Sequence, residues 1–190
     1  MSLEHLWAGW RGAYVASATE SERAGEGADA CVFCRLAASG PPSGDNLVVW
    51  RGQHTFVVLN LYPYASGHLL VVPLRHVEDL PSLTDDESAE LWQATRWAAE
   101  ALTGAYAPDG LNLGANLGRA AGAGIPRHLH LHAVPRWFGD TNFMTAVGDA
   151  RVLPETLHRS WERVRAAWPA PDQEALGREI DETRWSGTTS

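Results

Sequence analysis

Arg127-His128-Leu129-His130-Leu131-His132-Ala133-Val134-Pro135 is the stretch on which the reading of this chain turns. Its residues alternate polar and apolar, the pattern of a strand whose side chains point to opposite faces in turn. His128, His130 and His132 therefore share one face, and Leu129, Leu131 and Ala133 point to the other, toward a core. Same-face neighbours on a strand stand about 6–7 Å apart. The chain has 8 histidines, and this short run holds a triplet of them. Two kinds of chemistry suit such a face. A His-x-His pair can ligate a catalytic metal, but the nearest following carboxylate, Asp140, lies beyond Pro135. Alternatively, one neutral imidazole attacks phosphorus while a second donates to the phosphate or the leaving oxygen. The upstream loop favours the second reading. Gly118, Gly122 and Gly124 stand there with Ala120, Ala121 and Ala123 among them, so backbone N–H groups can approach a polyphosphate.

Working outward, Leu47 to Arg51 and Thr55 to Leu61 read as strands flanking a hairpin at Gly52-Gln53. His68 to Leu74 is apolar enough for a central strand, and Leu111 to Leu117 gives a fourth. Arg127 to Pro135 is the fifth. Between the third and fourth, Thr84 with Glu87 forms a capping-box pattern, and Asp85 and Asp86 occupy the positive first turn. The helix should run to about Tyr106, with Leu91, Thr95, Ala98 and Leu102 inward and Pro108-Asp109-Gly110 ending it. A second helix is expected over Pro154 to Trp168. Strands in a run with one long inserted helix give an α+β fold, mostly antiparallel. Near the N-terminus, Leu6, Trp7, Trp10 and Tyr14 form an apolar set, followed by a polar connection from Ser17 to Ala30.

Composition narrows the function. At 190 residues the chain is one domain with terminal extensions. Its net charge of −8 makes it a poor collector of nucleic-acid backbone. All 15 basic residues are Arg. Without Lys there is no Schiff-base chemistry on Lys and no P-loop lysine. No apolar run approaches the roughly 20 residues of a membrane-spanning helix. Met1 to Tyr14 does not read as a secretory signal, and cytoplasmic residence is the expectation. Cys31 and Cys34 form a Cys-x-x-Cys, which reads as a metal knuckle, a redox pair or two packed thiols.

His128-x-His130-x-His132, with apolar residues between and after, resembles the signature of the histidine triad (HIT) superfamily of nucleotide hydrolases and transferases. The similarity runs from about Cys31 to Asp149. It takes in Cys31-Val32-Phe33-Cys34, Asn60-Leu61-Tyr62-Pro63-Tyr64, Gly67-His68 through Pro73, and Asn116. The segments from Asn60 to His68 and from Pro135 to Phe143 are similar to the branch of diadenosine tetraphosphate phosphorylases and hydrolases. The resemblance implies a HIT-like fold, a five-stranded antiparallel sheet with one long helix. It implies a HIT domain over residues 31–150, with an N-terminal extension (1–30) and a C-terminal helical extension (151–190).

It also implies roles. His130 takes the α-phosphoryl group as a covalent nucleotidyl-histidine, and His132 contacts the phosphate and assists the leaving group. Asn60 stands at the position of the ribose-binding carboxylate. Leu61 packs on base or sugar, and Asn116, Gly122 and Gly124 face the phosphates. By its own chemistry, apart from the resemblance, Trp137 is a candidate either to stack on a base or to pack under the following loop. Cys31, Cys34, His76 and His128 match the structural zinc ligands of zinc-bearing members, and Mg²⁺ would accompany the nucleotide. Members commonly form homodimers. The loop Gly124-Ile125-Pro126-Arg127 lacks the Ser that several relatives place there, which disfavours the phosphoramidase branch. A nucleoside phosphoramidase and a non-catalytic nucleotide-binding protein are the rival readings.

Overall fold

Thr55–Leu59 (β2) and Leu69–Pro73 (β3) are buried at every residue. A strand is apolar throughout when both its faces are covered. Val57, Leu59, Leu69 and Val71 enter one core, while Phe56, Val58, Leu70 and Val72 enter another on the opposite face. Val48–Arg51 (β1), Gly110–Gly114 (β4) and Leu131–Arg136 (β5) complete a five-stranded sheet of order β1-β2-β3-β5-β4. Every pairing is antiparallel, so the α+β architecture expected from the sequence is the one observed. The computed structural model describes residues 31–140 and 154–170. The apolar N-terminal set from Leu6 to Tyr14, the rest of the segment before Cys31, the segment 141–153 and the tail after 170 lie outside the described residues.

The first core lies under Asp85–Tyr106 (α2) and Leu157–Ala166 (α3), while α1 (Val32–Ala37) lies on the opposite face of the sheet. The capping box is complete. Thr84 Oγ1 accepts from the Glu87 N–H at 3.2 Å, and Glu87 Oε2 accepts from the Thr84 N–H at 2.8 Å. Leu91, Thr95, Ala98 and Leu102 are buried, as the helical period requires. The helix ends at Ala107 in the left-handed region, φ 44°, just before Pro108. Trp50, Trp97 and Trp168 form an aromatic cluster in this core. The second helix is shorter than expected: Thr156 caps it, so residues 154–155 precede it and Trp168 follows it.

The turn from β1 to β2 requires glycine. A Cβ on Gly52 would meet the Trp50 ring and the Glu90 carboxylate at 2.3 Å. Glu90 accepts from the backbone N–H groups of Gln53, at 2.9 Å, and His54, so α2 fixes this turn from below.

The opposite sheet face is covered by α1. Phe33 anchors it, and the Arg51 guanidinium donates to the carbonyls of Ala37 (2.5 Å) and Leu36 (3.1 Å), closing its C-terminal end. Six residues of helix cover only part of a five-stranded sheet, and the uncovered part is a cavity. Among the described residues no helix is long and apolar enough to cross a membrane.

Two strand boundaries differ from expectation by more than two residues, the start of β5 and the end of β4. β5 begins at Leu131, not Arg127. Leu131 faces Val71; carried two residues further, the same register would set Leu129 against Pro73, which has no N–H to offer. Its carbonyl is taken by the His128 imidazole (2.9 Å), and the Leu129 N–H turns aside to the Val77 carbonyl (2.6 Å). Correspondingly, β4 stops at Gly114, paired with His132, and does not reach Leu117.

Candidate active site and metal cluster

The alternation of faces survives the shortened strand. Leu129, Leu131 and Ala133 lie in the helix-covered core, while His128 and His130 lie against Phe33 on the other side, with ring centroids 5.4 and 5.0 Å away. His130 and His132 are adjacent, at 5.1 Å between centroids.

Hydrogen bonds settle which nitrogen of each ring carries the proton. His130 Nδ1 lies 2.8 Å from the His128 carbonyl oxygen. A carbonyl only accepts, so Nδ1 donates and the neutral ring keeps its lone pair on Nε2. For His132 the chain of reasoning starts at Tyr64, whose backbone N–H donates to His68 Nδ1 at 3.1 Å. The His68 proton is therefore on Nε2, which donates to His132 Nδ1 at 2.9 Å. That leaves the His132 proton on Nε2. The two neighbouring imidazoles are thus set in opposite roles, one presenting a lone pair and the other a proton. Burial pulls the His130 imidazole below the ordinary histidine range, against the opposing pull of its bond to the His128 carbonyl.

Both rings line a cavity of about 700 Å³ on the α1 side of the sheet. Asn60, Leu61, Asn116, Gly122 and Gly124 line it too, so the structure brings these sequence candidates together with His130 and His132. Gly122, at φ 87°, ends a short 3-10 turn over Arg119–Ala121. Trp137 is not among the lining residues; its ring packs edge-on against Tyr106 at 6.1 Å. The sequence reading gave no role to the apolar lining: Val32, Phe33 and Leu36 from α1, Leu47 before β1, and Val58, Leu59 and Leu70 from the sheet. The doubly apolar β2 and β3 were the available signal, since a strand buried on both faces needs a cover on the side away from α2.

His68 is fully buried, and the sequence places it only at the head of a central strand. It sits at the hub of a network, with Asn60 Nδ2 at 3.3 Å from its Nδ1 and the Tyr64 ring packed on it at 4.7 Å.

Behind the cavity, Cys31, Cys34, His76 and His128 bring their ligand atoms within 4.8 Å of one another. Cys31 Sγ lies 3.4 Å and Cys34 Sγ 3.6 Å from His128 Nδ1, and Cys34 Sγ lies 3.3 Å from His76 Nδ1. A thiolate and an imidazole on one tetrahedral zinc are separated by about 3.5 Å. The donor set therefore fits a closed four-ligand site. His128 donates from Nε2 to the Pro73 carbonyl at 2.9 Å, which turns its Nδ1 lone pair toward the sulfurs, as an outer partner orients a metal-bound imidazole. Burial drives its pKa down to about 4, so the ring is neutral and able to ligate. Arg75, next to His76, is held by Glu87 through two bonds of 2.7 and 2.6 Å.

The HIT domain profile matches residues 43–139. A protein of Mycobacterium tuberculosis named AP-4-A phosphorylase is 41% identical over 167 residues, covering 87% of this chain and 85% of its own length. This chain belongs to the HIT domain family. A bis(5'-adenosyl)-triphosphatase of Saccharomyces cerevisiae is 34% identical over 91 residues, covering 47% of this chain and 44% of its own. Among solved structures, a Zn-bound histidine triad family protein from Mycobacterium smegmatis superposes with a TM-score of 0.60 at 28% identity, covering 83% of this chain and 99% of that one. α1, α3 and both cysteines lie outside the stretch that the HIT profile matches.

Proposed function

We propose that this HIT protein cleaves dinucleoside polyphosphates, with diadenosine tetraphosphate as the first candidate, by passing a nucleotidyl group through His130. The observation that carries the reading is the opposed pair of tautomers, a lone pair on His130 Nε2 beside a proton on His132 Nε2. The M. tuberculosis relative named AP-4-A phosphorylase supports the substrate class.

In the first step the His130 Nε2 lone pair attacks the α-phosphorus. The bond from phosphorus to the bridging oxygen breaks, and the polyphosphate departs as an anion whose freed oxygen accepts a hydrogen bond from His132 Nε2–H. In the second step water or inorganic phosphate attacks the nucleotidyl-histidine. The P–N bond breaks, its electrons return to His130, and the acceptor's proton passes to the solvent. Two displacements at a neutral imidazole replace one at a shielded anion, and positioning supplies most of the acceleration. The apolar lining around Phe33, Leu36 and Leu47 takes the base, while Asn60 faces the ribose and Asn116, Gly122 and Gly124 the phosphates.

The cluster of Cys31, Cys34, His76 and His128 would hold a structural zinc, since two thiolates and two imidazoles suit that ion. When bound, the zinc would neutralise the thiolates and pin residue 31 to the catalytic segment two residues before His130. The open edge of β4, where Leu113 is half exposed, suits pairing of two copies.

Product analysis with and without inorganic phosphate tests the reading. Attack at the α position yields ADP plus ATP with phosphate as acceptor, and AMP plus ATP with water. Two molecules of ADP, or no cleavage, would overturn it.

A further inference from the structure

We propose that α3 braces the nucleoside wall of the cavity, with Trp161 as its principal positioning residue. This rests on reading the cavity as a nucleotide site. The starting observation is Leu47, a cavity-lining residue that packs on both cores. It adopts φ 58°, the left-handed region that a side chain with a Cβ resists. Such a conformation persists where the surroundings enforce it.

From inside, the Leu47 carbonyl accepts from the Leu59 N–H at 3.0 Å, and Asn46 Oδ1 accepts from the N–H groups of Ser43 and Val48, both at 3.0 Å. From outside, the enforcement comes from α3. β1 is an edge strand, and α3 reaches two of its carbonyls. Trp161 Nε1–H donates to Val48 O at 2.7 Å, and Arg165 Nη1–H donates to Val49 O at 3.0 Å. Gly44 is seated against the same helix. A Cβ there would stand 2.9 Å from His158 Nε2 and 3.5 Å from Trp161 Cε3. Residues 158, 161 and 165 are spaced i, i+3, i+7, one face of a helix. That face therefore holds residues 44–49 along their length, on both sides of the strained Leu47. The helix follows the stretch matched by the HIT profile, and it packs in the core on the sheet face opposite the cavity that His130 and His132 line. Its effect should therefore fall on nucleotide affinity and leave the chemical steps alone.

The test uses the full chain carrying Trp161→Phe or Arg165→Met. Trp161→Phe keeps an aromatic ring and removes the N–H; Arg165→Met keeps an unbranched stem and removes the donor to Val49 O. KM and kcat are measured with diadenosine tetraphosphate, and equilibrium Kd with AMP. Trp168→Phe is the control, because it loosens the stack on Trp50 (6.0 Å between centroids) without a bond to residues 44–49. Both test variants should raise KM and Kd about fivefold, the change that loss of one hydrogen bond produces. Their kcat should stay within about twofold, less than one hydrogen bond's worth, and Trp168→Phe should leave KM alone. Wild-type KM and Kd in both variants would overturn the brace. So would a parallel fall in kcat, or an equal rise in KM in Trp168→Phe at a matched loss of melting temperature. If Trp161→Phe does not fold, Arg165→Met decides alone. Wild type that binds AMP but cleaves no dinucleotide would sink the proposed reaction, while weakened AMP binding in the variants would still support the brace.

Discussion

Replacing His68 by Phe removes the relay that sets the His132 proton while keeping a ring of similar bulk. His68 is 0% exposed, donates to His132 at 2.9 Å and accepts from the Tyr64 N–H at 3.1 Å. Phe makes neither bond. The buried His132 nitrogen left without its donor costs about 1–3 kcal/mol and the part-buried Tyr64 N–H about 1 kcal/mol more, so the variant should be about 2–4 kcal/mol less stable. Domains typically have about 5–15 kcal/mol in hand, so it should fold at room temperature. The larger effect is on turnover. Without a donor at His132 Nδ1 the proton is no longer confined to Nε2, and the positioned hydrogen-bond donor to the leaving oxygen is lost for part of the population. Removing such a donor costs about 10²–10³-fold, and we expect kcat to fall about 10²-fold with little change in KM. His68→Gln, whose amide can still donate, should lose less. Steady-state kinetics on diadenosine tetraphosphate, beside a urea titration, reads both effects. A folded His68→Phe variant with wild-type kcat, or one no slower than His68→Gln, would refute the relay.

Three further outcomes follow from other contacts. Glu87→Ala should cost about 1–2 kcal/mol at neutral pH, from the lost cap and the lost pair with Arg75. The bond from Arg75 lowers the Glu87 carboxyl to about 2 from 4.5. Its contribution is therefore complete above about pH 4.5 and fades as pH falls toward 2. Denaturant titrations should show the gap between wild type and variant narrowing at about pH 3; a constant gap would contradict the assignment. Elemental analysis should find about one zinc per chain, absent in Cys34→Ser, whose melting temperature a chelator should no longer lower. Phe33→Ala should cost about 3–5 kcal/mol and weaken AMP binding, read by denaturation and by calorimetry.

The triad strand and the capped helix were legible because each repeats a short period. Alternation put His128, His130 and His132 on one face, and Leu91, Thr95, Ala98 and Leu102 kept their helical spacing. What escaped was set by distant partners. Pro73 ends the ladder before Leu131, yet nothing near residue 131 says so. His68 lies 64 positions from the imidazole it orients. Trp161 lies 113 positions from the carbonyl it satisfies. Leu47 carries no glycine or asparagine signal for the left-handed backbone it adopts. The Cys-x-x-Cys was visible as a candidate, but the choice among metal, redox and packing depended on His76 and His128, whose closeness to it only the fold makes.

The most direct test is to mix the protein with excess diadenosine tetraphosphate, quench within the first turnover under conditions that spare P–N bonds, and weigh the intact chain. A mass increase of one adenylyl group, mapped by fragmentation to His130 and missing from His130→Ala, is the expected result. No adduct at any quench time during active turnover, or an adduct on another side chain, would contradict the account.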